Sequence, residues 1–250
     1  MMKEPISENK PSRILYRDPH CLVVNKLPGE AAEGAGPGMV DLPRFLAEHY
    51  PPASVGPECL AVPVAVNRLD VPASGCLLFA QTRRALSRLN AALGEGKMEK
   101  RYWAVVENPS GRDIPETGEW IHWLSQDPRI NKSRAWDEPG PGRKKGLLRY
   151  RITGRGERYI FLEIELITGR HHQIRAQLAA QGLFVKGDLK YGARRSEKGG
   201  GIRLHARSLA FPDPAQPGSL IKVFAPPPLL DRLWLAALGP EGPQVLLPSP

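Results

Sequence analysis

The chain has 250 residues, 41% of them hydrophobic, and a formal net charge of +9. This length and apolar content exclude a disordered chain and allow a substantial core, while the basic excess favours a polyanionic partner such as RNA, DNA or an acidic membrane surface. The three cysteines, Cys21, Cys59 and Cys76, show no C-x-x-C spacing, so neither a disulfide framework nor a zinc site is expected, and no run approaches the 18 apolar residues of a transmembrane helix.

Residues 1–12 are polar and contain proline, and they read as a flexible N-terminus without the apolar stretch of a secretory signal. With reduced thiols this points to a cytoplasmic protein. Residues 14–16 and 22–25 form two short apolar runs around the turn pair Asp18-Pro19, the pattern of paired strands. A Gly/Ala-rich loop follows over 29–38, then a short helix over 41–49 from the spacing of Leu42, Phe45 and Leu46. Residues 61–66 and 76–80 are strand-length apolar runs flanking NRLDVPASG. Thr82 can N-cap a helix in which Ala85, Leu86, Leu89 and Leu93 recur at helical spacing, with Gly94 as its stop.

Residues 101–106 read as a strand. The stretch 108–146 reads as irregular and holds most of the tryptophans. LLRYRI and RYIFLEIEL, joined by TGRGE, carry a hairpin signal. A helix is expected over 171–181, strands over 203–211 and 220–224, and a closing helix over 229–238. Residues 239–250 are a Pro/Gly-rich, flexible tail. Strands outnumber helices without a strict β-α-β rhythm, so the fold class is α+β with a mixed, mainly antiparallel sheet. No composition break divides residues 13–238, which read as a single domain.

Charge is unevenly placed. Residues 129–158 contain ten Lys or Arg against three acids, a net +7, with Trp136, Tyr150 and Tyr159 in or beside them. Basic side chains interleaved with aromatics suit a nucleic-acid backbone with exposed bases. The same run also fits an ordinary solvated face.

Two segments carry chemistry. Asn67-Arg68-Leu69-Asp70 follows an apolar strand, and Pro72 and Gly75 define the loop after it, so one carboxylate can be held at a fixed depth. Alone, this pattern is weak. The second segment, Gly169-Arg170-His171-His172-Gln173-Ile174-Arg175, opens a helix whose N-terminus favours anions. Its adjacent histidines do not share a helix face, so no metal site is expected.

Together NRLDVPASG and GRHHQIRAQLAAQGLFVKGDLKYG resemble the RluA family of pseudouridine synthases. ILYRDPHCLVVNKLPG, EKRYWAVVE and IRLHARSLAF resemble further family segments in the same order, so the resemblance runs from about Ile14 to Phe224. Five ordered motifs are specific where one is not. The chain departs from the family at Asn67, where His is usual, at Ala73, where Thr is usual, at His171, again in place of Thr, and at Leu27, where Pro is common. The family's frequent N-terminal RNA-binding module has no room before Ile14, so RNA contacts are expected from the catalytic domain itself.

The resemblance implies a pseudouridine synthase catalytic fold over 13–238, with helices flanking the sheet around a central cleft. It implies an isomerase that converts a uridine of ribosomal or transfer RNA to pseudouridine without metal or cofactor. Carried over residue by residue, Asp70 is the catalytic carboxylate, Arg175 pairs with it, and Tyr102 stacks on the uracil and serves as a candidate acceptor of the C5 proton. Leu204 packs the other side of the base, Arg68 reaches into the RNA, and Arg170, His172 and Lys26 complete the substrate-binding set. RNA is the expected partner of a monomeric protein. The rival readings are a non-catalytic RNA-binding protein on the same scaffold, and a hydrolase, which would need a second carboxylate facing Asp70.

Overall fold

Side chains alternate across a strand, so a strand with helices on both faces is apolar throughout. Residues 76–80 have that character, and in the computed structural model they are buried together with the rest of 74–82. The structure describes residues 13–36, 38–51, 56–197 and 200–237. The two segments expected to be flexible, 1–12 and 239–250, lie outside them.

In chain order the strands are β1 (Ile14–Arg17), β2 (Cys21–Lys26), β3 (Glu30–Ala31), β4 (Val40–Asp41), β5 (Cys59–Ala65), β6 (Ser74–Thr82), β7 (Glu99–Glu107), β8 (Thr117–Asp127), β9 (Lys132–Trp136), β10 (Lys144–Arg155), β11 (Tyr159–Leu166), β12 (Phe184–Val185), β13 (Leu204–Pro212) and β14 (Leu220–Phe224). The helices are α1 (Leu42–His49), α2 (Arg83–Gly94), α3 (Gln173–Ala180) and α4 (Arg232–Ala237). The fold is α+β. A continuous sheet runs β1-β2-β6-β13-β7-β11-β10-β8-β9, with β5, β12 and β14 paired at its sides. Its pairings are antiparallel except for one parallel contact, β6 with β13, where Ser74 lies beside His205 and Gly75 beside Ala206.

Packing follows the two-residue period. Leu77 and Phe79 of β6 join Tyr102, Ala104 and Val106 of β7 in a core on one face, which α1 and α3 cover. Cys76, Leu78 and Ala80 face the other way, against Ala85, Leu89 and Ala92 of α2, and Trp103 and Val105 of β7 meet Trp234 of α4 on that same back face. The Thr82 hydroxyl accepts from the Ala85 amide, so it caps α2 as the sequence suggests.

The stretch read as irregular, 108–146, is largely a hairpin of β8 and β9. Its alternation was concealed because the polarity is inverted: His122 points into the core at 3% exposure while Ile121 faces outward at 41%. The inward imidazole is satisfied by Gln177, whose Nε2 lies 3.1 Å from its Nδ1. The closing helix starts at Arg232 and not at 229, because the Asp231 carboxylate accepts from the Leu233 and Trp234 amides and fixes the cap there.

Candidate active site

The loop between β5 and β6 is held by a full set of backbone partners. The Asp70 carbonyl accepts from the Ala73 amide, that of Val71 from the Gly29 amide, and that of Pro72 from the Ile202 amide, at 2.8–3.0 Å. Lys26 Nζ donates to the carbonyls of Leu27, Val71 and Ala73 at 3.0, 3.0 and 2.6 Å. Asn67, where the family usually has His, is buried and accepts from the Leu78 amide at 2.8 Å, pinning the strand end before Asp70. Gly75, just beyond the loop, has φ +115°, and a Cβ there would lie 2.6 Å from the Ala206 nitrogen. Only glycine lets β6 and β13 close at this seam.

Asp70 thus projects from a rigid loop, its side chain 22% exposed. Arg175 Nη1 donates to Asp70 Oδ2 at 2.9 Å, while Nε and Nη2 make a two-pronged contact to Asp188 at 2.6 and 2.8 Å. The guanidinium is 3% exposed. Burial works against its charge, but the bonds and attraction from Asp188 and Asp70 outweigh burial and raise its pKa. A buried cation held between two carboxylates orients both.

The helix opening differs from a simple anion site. His172 is the N-cap in the left-handed region, φ 50°, and Gln173 and Arg175 point into the core. His172 Nε2 lies 3.9 Å from Asp70 Oδ2, and its Nδ1 lies 3.0 Å from the Tyr191 hydroxyl. Burial lowers the His172 pKa to about 4, so the imidazole is neutral near pH 7. Tyr191 Oη in turn accepts from the Ser133 amide and donates to the Ser133 carbonyl. His171 stacks on His172 at 3.8 Å between ring centroids, and its ring nitrogens lie 2.8 Å from Ser133 Oγ and 3.0 Å from Asn131 Oδ1. The β8–β9 hairpin is therefore bolted to the residues around Asp70. Asp188, Tyr191, His171, Asn131 and Ser133 were not singled out from the sequence as site residues. Asp188 and Tyr191 fall inside the KGDLKYG segment, the one signal that pointed to them.

Asp70 opens into a cavity of about 340 Å³, a size suited to one nucleoside. Tyr102, Leu204, Arg68, Arg170, His172 and Arg175 line it with Asp70. Tyr102 and Leu204 are 5% and 4% exposed on neighbouring strands, and Leu204 pairs with Ala104. Burial, reinforced by Asp70, raises the Tyr102 pKa, so its ring is a neutral phenol. Arg68 is exposed and makes no hydrogen bond or ion pair among the described residues. Arg170 is exposed, with Nε donating to the Lys145 carbonyl at 3.0 Å. Lys26 is not among the lining residues: it is fully buried behind the loop, and burial lowers its pKa to about 8 against the pull of Glu30 and Asp70. Its place is beneath the carboxylate and not against a ligand. Glu33 also lines the cavity, on an exposed rim, with no hydrogen bond or ion pair to Asp70. Among the described residues, no cluster of His, Cys, Asp or Glu is arranged to hold a metal, and no helix is long and apolar enough to cross a membrane.

The structure also divides the basic segment. Arg149 pairs with Glu119 and Glu165, Arg151 with Glu163, Arg155 with Glu116 and Arg129 with Asp127. Lys132, Arg134, Arg143, Lys144 and Lys145 have no ion pair among the described residues, and they gather on β9 and the turn into β10. There the guanidiniums of Arg134 and Arg143 each lie 3.9 Å from the Trp136 ring centre.

An arginine-held carboxylate and a buried tyrosine share one cavity at the seam of this mixed sheet, the set that the resemblance to pseudouridine synthases implies. Comparison with known proteins places the chain in that class. The family model described as RNA pseudouridylate synthase matches residues 20–180. An uncharacterized RNA pseudouridine synthase of Zymomonas mobilis is 29% identical over 205 residues, covering 79% of this chain and 86% of the relative. Ribosomal large subunit pseudouridine synthase C of Escherichia coli is 31% identical over 238 residues, covering 85% of this chain; the chain spans 66% of that relative's length. The solved structure of human RNA pseudouridylate synthase domain containing 1 superposes with a TM-score of 0.70 over 91% of this chain and 88% of that one, at 24% identity, a likeness of fold. The chain belongs to the RNA pseudouridine synthase family, in its RluA-type branch, and is an isomerase acting on RNA.

Proposed function

We propose that the protein isomerises a uridine of ribosomal RNA, with Asp70 as the carboxylate that opens the N1–C1′ bond. The observation that carries this reading is the contact of Asp70 with Arg175, itself fixed by Asp188, at the mouth of a nucleoside-sized cavity. The reaction breaks N1–C1′ and forms C5–C1′. A proton leaves C5 and one is gained at N1, so no atom is added or lost and no water need enter. Arg175 holds the carboxylate aimed through a charge-assisted hydrogen bond. Tyr102 and Leu204 sandwich the uracil and retain it after cleavage. The raised pKa of Tyr102 favours stacking over service as a phenolate base.

A target base must leave its stack, at a cost of about a few kcal/mol. The free guanidinium of Arg68 at the cleft mouth is suited to occupy the gap. Ribosomal RNA is favoured as substrate by the likeness to ribosomal large subunit pseudouridine synthase C. A protein that only bound RNA would have no use for Asp70, Arg175 and Tyr102 in one cavity.

The test is tritium release from uridine-5-tritiated large-subunit ribosomal RNA, with transfer RNA in parallel, comparing the parent protein with Asp70→Asn. Release from ribosomal RNA by the parent alone is expected, with RNA binding retained by the variant. Equal release by both proteins would remove Asp70 from the chemistry, and release from transfer RNA only would correct the substrate.

A further inference from the structure

Lys100 lies two residues before Tyr102 on β7, so both side chains point to the cleft face, about 7 Å apart along the strand. Lys100 is 9% exposed and lines the same cavity as Asp70. Among the described residues its ammonium has no hydrogen bond and no ion pair. Its charged neighbour is Arg170, a like charge, and a Cβ added at Gly169 would lie 3.6 Å from its Nζ. Burial, and then Arg170, lower its pKa. A buried cation is ordinarily paired, since an uncompensated one costs free energy. The contrast with Lys26, also buried but donating to three carbonyls, is direct. Arg170 is anchored through Nε to the Lys145 carbonyl, and among the described residues its two terminal nitrogens have no partner.

We infer that Lys100 and Arg170 form an anion subsite that takes the phosphodiester flanking the target uridine. This rests on the reading of the cavity as the uridine site. Lys100 stands one pleat from Tyr102 in the same cavity, so an anion beside a base stacked on Tyr102 lies within its reach. The phosphate supplies the charge and acceptors that the ammonium lacks. A bound anion between the two cations turns their mutual repulsion into a shared attraction. Lys100 acts only on the backbone and so reads no sequence.

The test pairs Lys100→Met with an RNA change. The probe is a fluorescein-labelled nine-nucleotide RNA with one central uridine, made with a neutral methylphosphonate linkage either 5′ or 3′ to that uridine. Binding is followed by anisotropy. Lys100→Met is expected to weaken binding of the all-phosphate RNA by about tenfold or more, the scale of a charge-assisted hydrogen bond, while Lys100→Arg keeps most of it. At one of the two linkages, neutralising the RNA is expected to weaken the parent protein but to cause no further loss in Lys100→Met. Melting temperature is expected to stay level or rise in Lys100→Met, because an unpaired buried charge is removed. Additive losses at both linkages, or a fall in melting temperature that accounts for the lost affinity, would overturn the subsite. Tritium release by the parent protein is scored separately, so failure of the uridine reading is not mistaken for failure of the subsite.

Discussion

Asp188 touches no part of the cavity, yet its replacement is expected to disable the site. In the wild-type protein Arg175 is 3% exposed and Asp188 2%, joined by two bonds of 2.6 and 2.8 Å. Asp188→Asn keeps the shape and one acceptor oxygen but removes the charge. Breaking a buried pair from one side costs about 3–5 kcal/mol, and the retained acceptor puts this case at the lower end, about 3 kcal/mol. For a chain of this size that corresponds to a fall in melting temperature of about 6–12 °C. Activity is expected to fall further than stability implies. Arg175 loses the prong that sets its angle, and an ångström of misplacement can cost about a hundredfold in rate. Tritium release at saturating RNA should drop about tenfold to a hundredfold, with KM little changed. In Arg175→Met/Asp188→Asn, part of the lost stability should return because no buried charge is left unpaired, while activity stays absent. A single variant that melts with the parent and turns over normally would refute the account of Arg175 as a fork held from behind.

Two further outcomes follow from groups outside the reaction. His205 is fully buried, its Nδ1 2.9 Å from Ser74 Oγ and its Nε2 3.0 Å from the Ala225 carbonyl, and burial lowers its pKa to about 4. The unfolded chain takes up this proton near pH 6.5, so stability should decline as pH falls from about 6.5 to 4, by about 3 kcal/mol for this group. His172, also near 4, adds to the same slope, as do His122 and His171, which burial also lowers, so His205→Gln should reduce it but not abolish it in urea titrations across that range. For the basic hairpin, Arg134→Ala/Arg143→Ala should lower the salt dependence of RNA binding by about 0.7 per arginine in log–log slope. Arg149→Ala should leave it unchanged, since Arg149 already faces Glu119 and Glu165. Equal slopes in the two variants would show that pairing on the sheet face does not decide which cations meet RNA.

Much of the site was legible because its parts are local in sequence. Asp70 sits in a short loop marked by Pro72 and Gly75, Tyr102 in a strand and Arg175 in a helix opening, and the structure brings all three into one cavity with Leu204, Arg68 and Arg170. What escaped depends on approach through space. The hold of Asp188 on Arg175 requires the chain to turn back after α3, and the contacts of His171 with Asn131 and Ser133 require a hairpin that inverted polarity had hidden. Lys26 was assigned to substrate because it lies in a matching loop; only the fold reveals three carbonyls already waiting for it. The partition of the basic run is equally invisible along the chain, since Glu119, Glu163 and Glu116 reach their arginines across strands.

The arrangement resolves a conflict inherent in this chemistry. A cleft that attracts RNA must be positive, yet its reacting group is an anion that any unengaged cation would pull out of line. Arg175 could bind phosphate only by releasing Asp70, and Asp188 prevents this by occupying two of its nitrogens in the core. Lys26 cannot reach the RNA either, because its three donors are consumed by the carbonyls that shape the loop. Attraction for the backbone is left to cations with donors to spare among the described residues: Arg68 at the mouth, Lys100 along the wall, and Arg170 beside it with only its Nε engaged. Arg175 and Lys26 thus steady the carboxylate while the others meet the polymer. The division is enforced by hydrogen-bond saturation and not by distance, since all but Lys26 line one cavity of about 340 Å³.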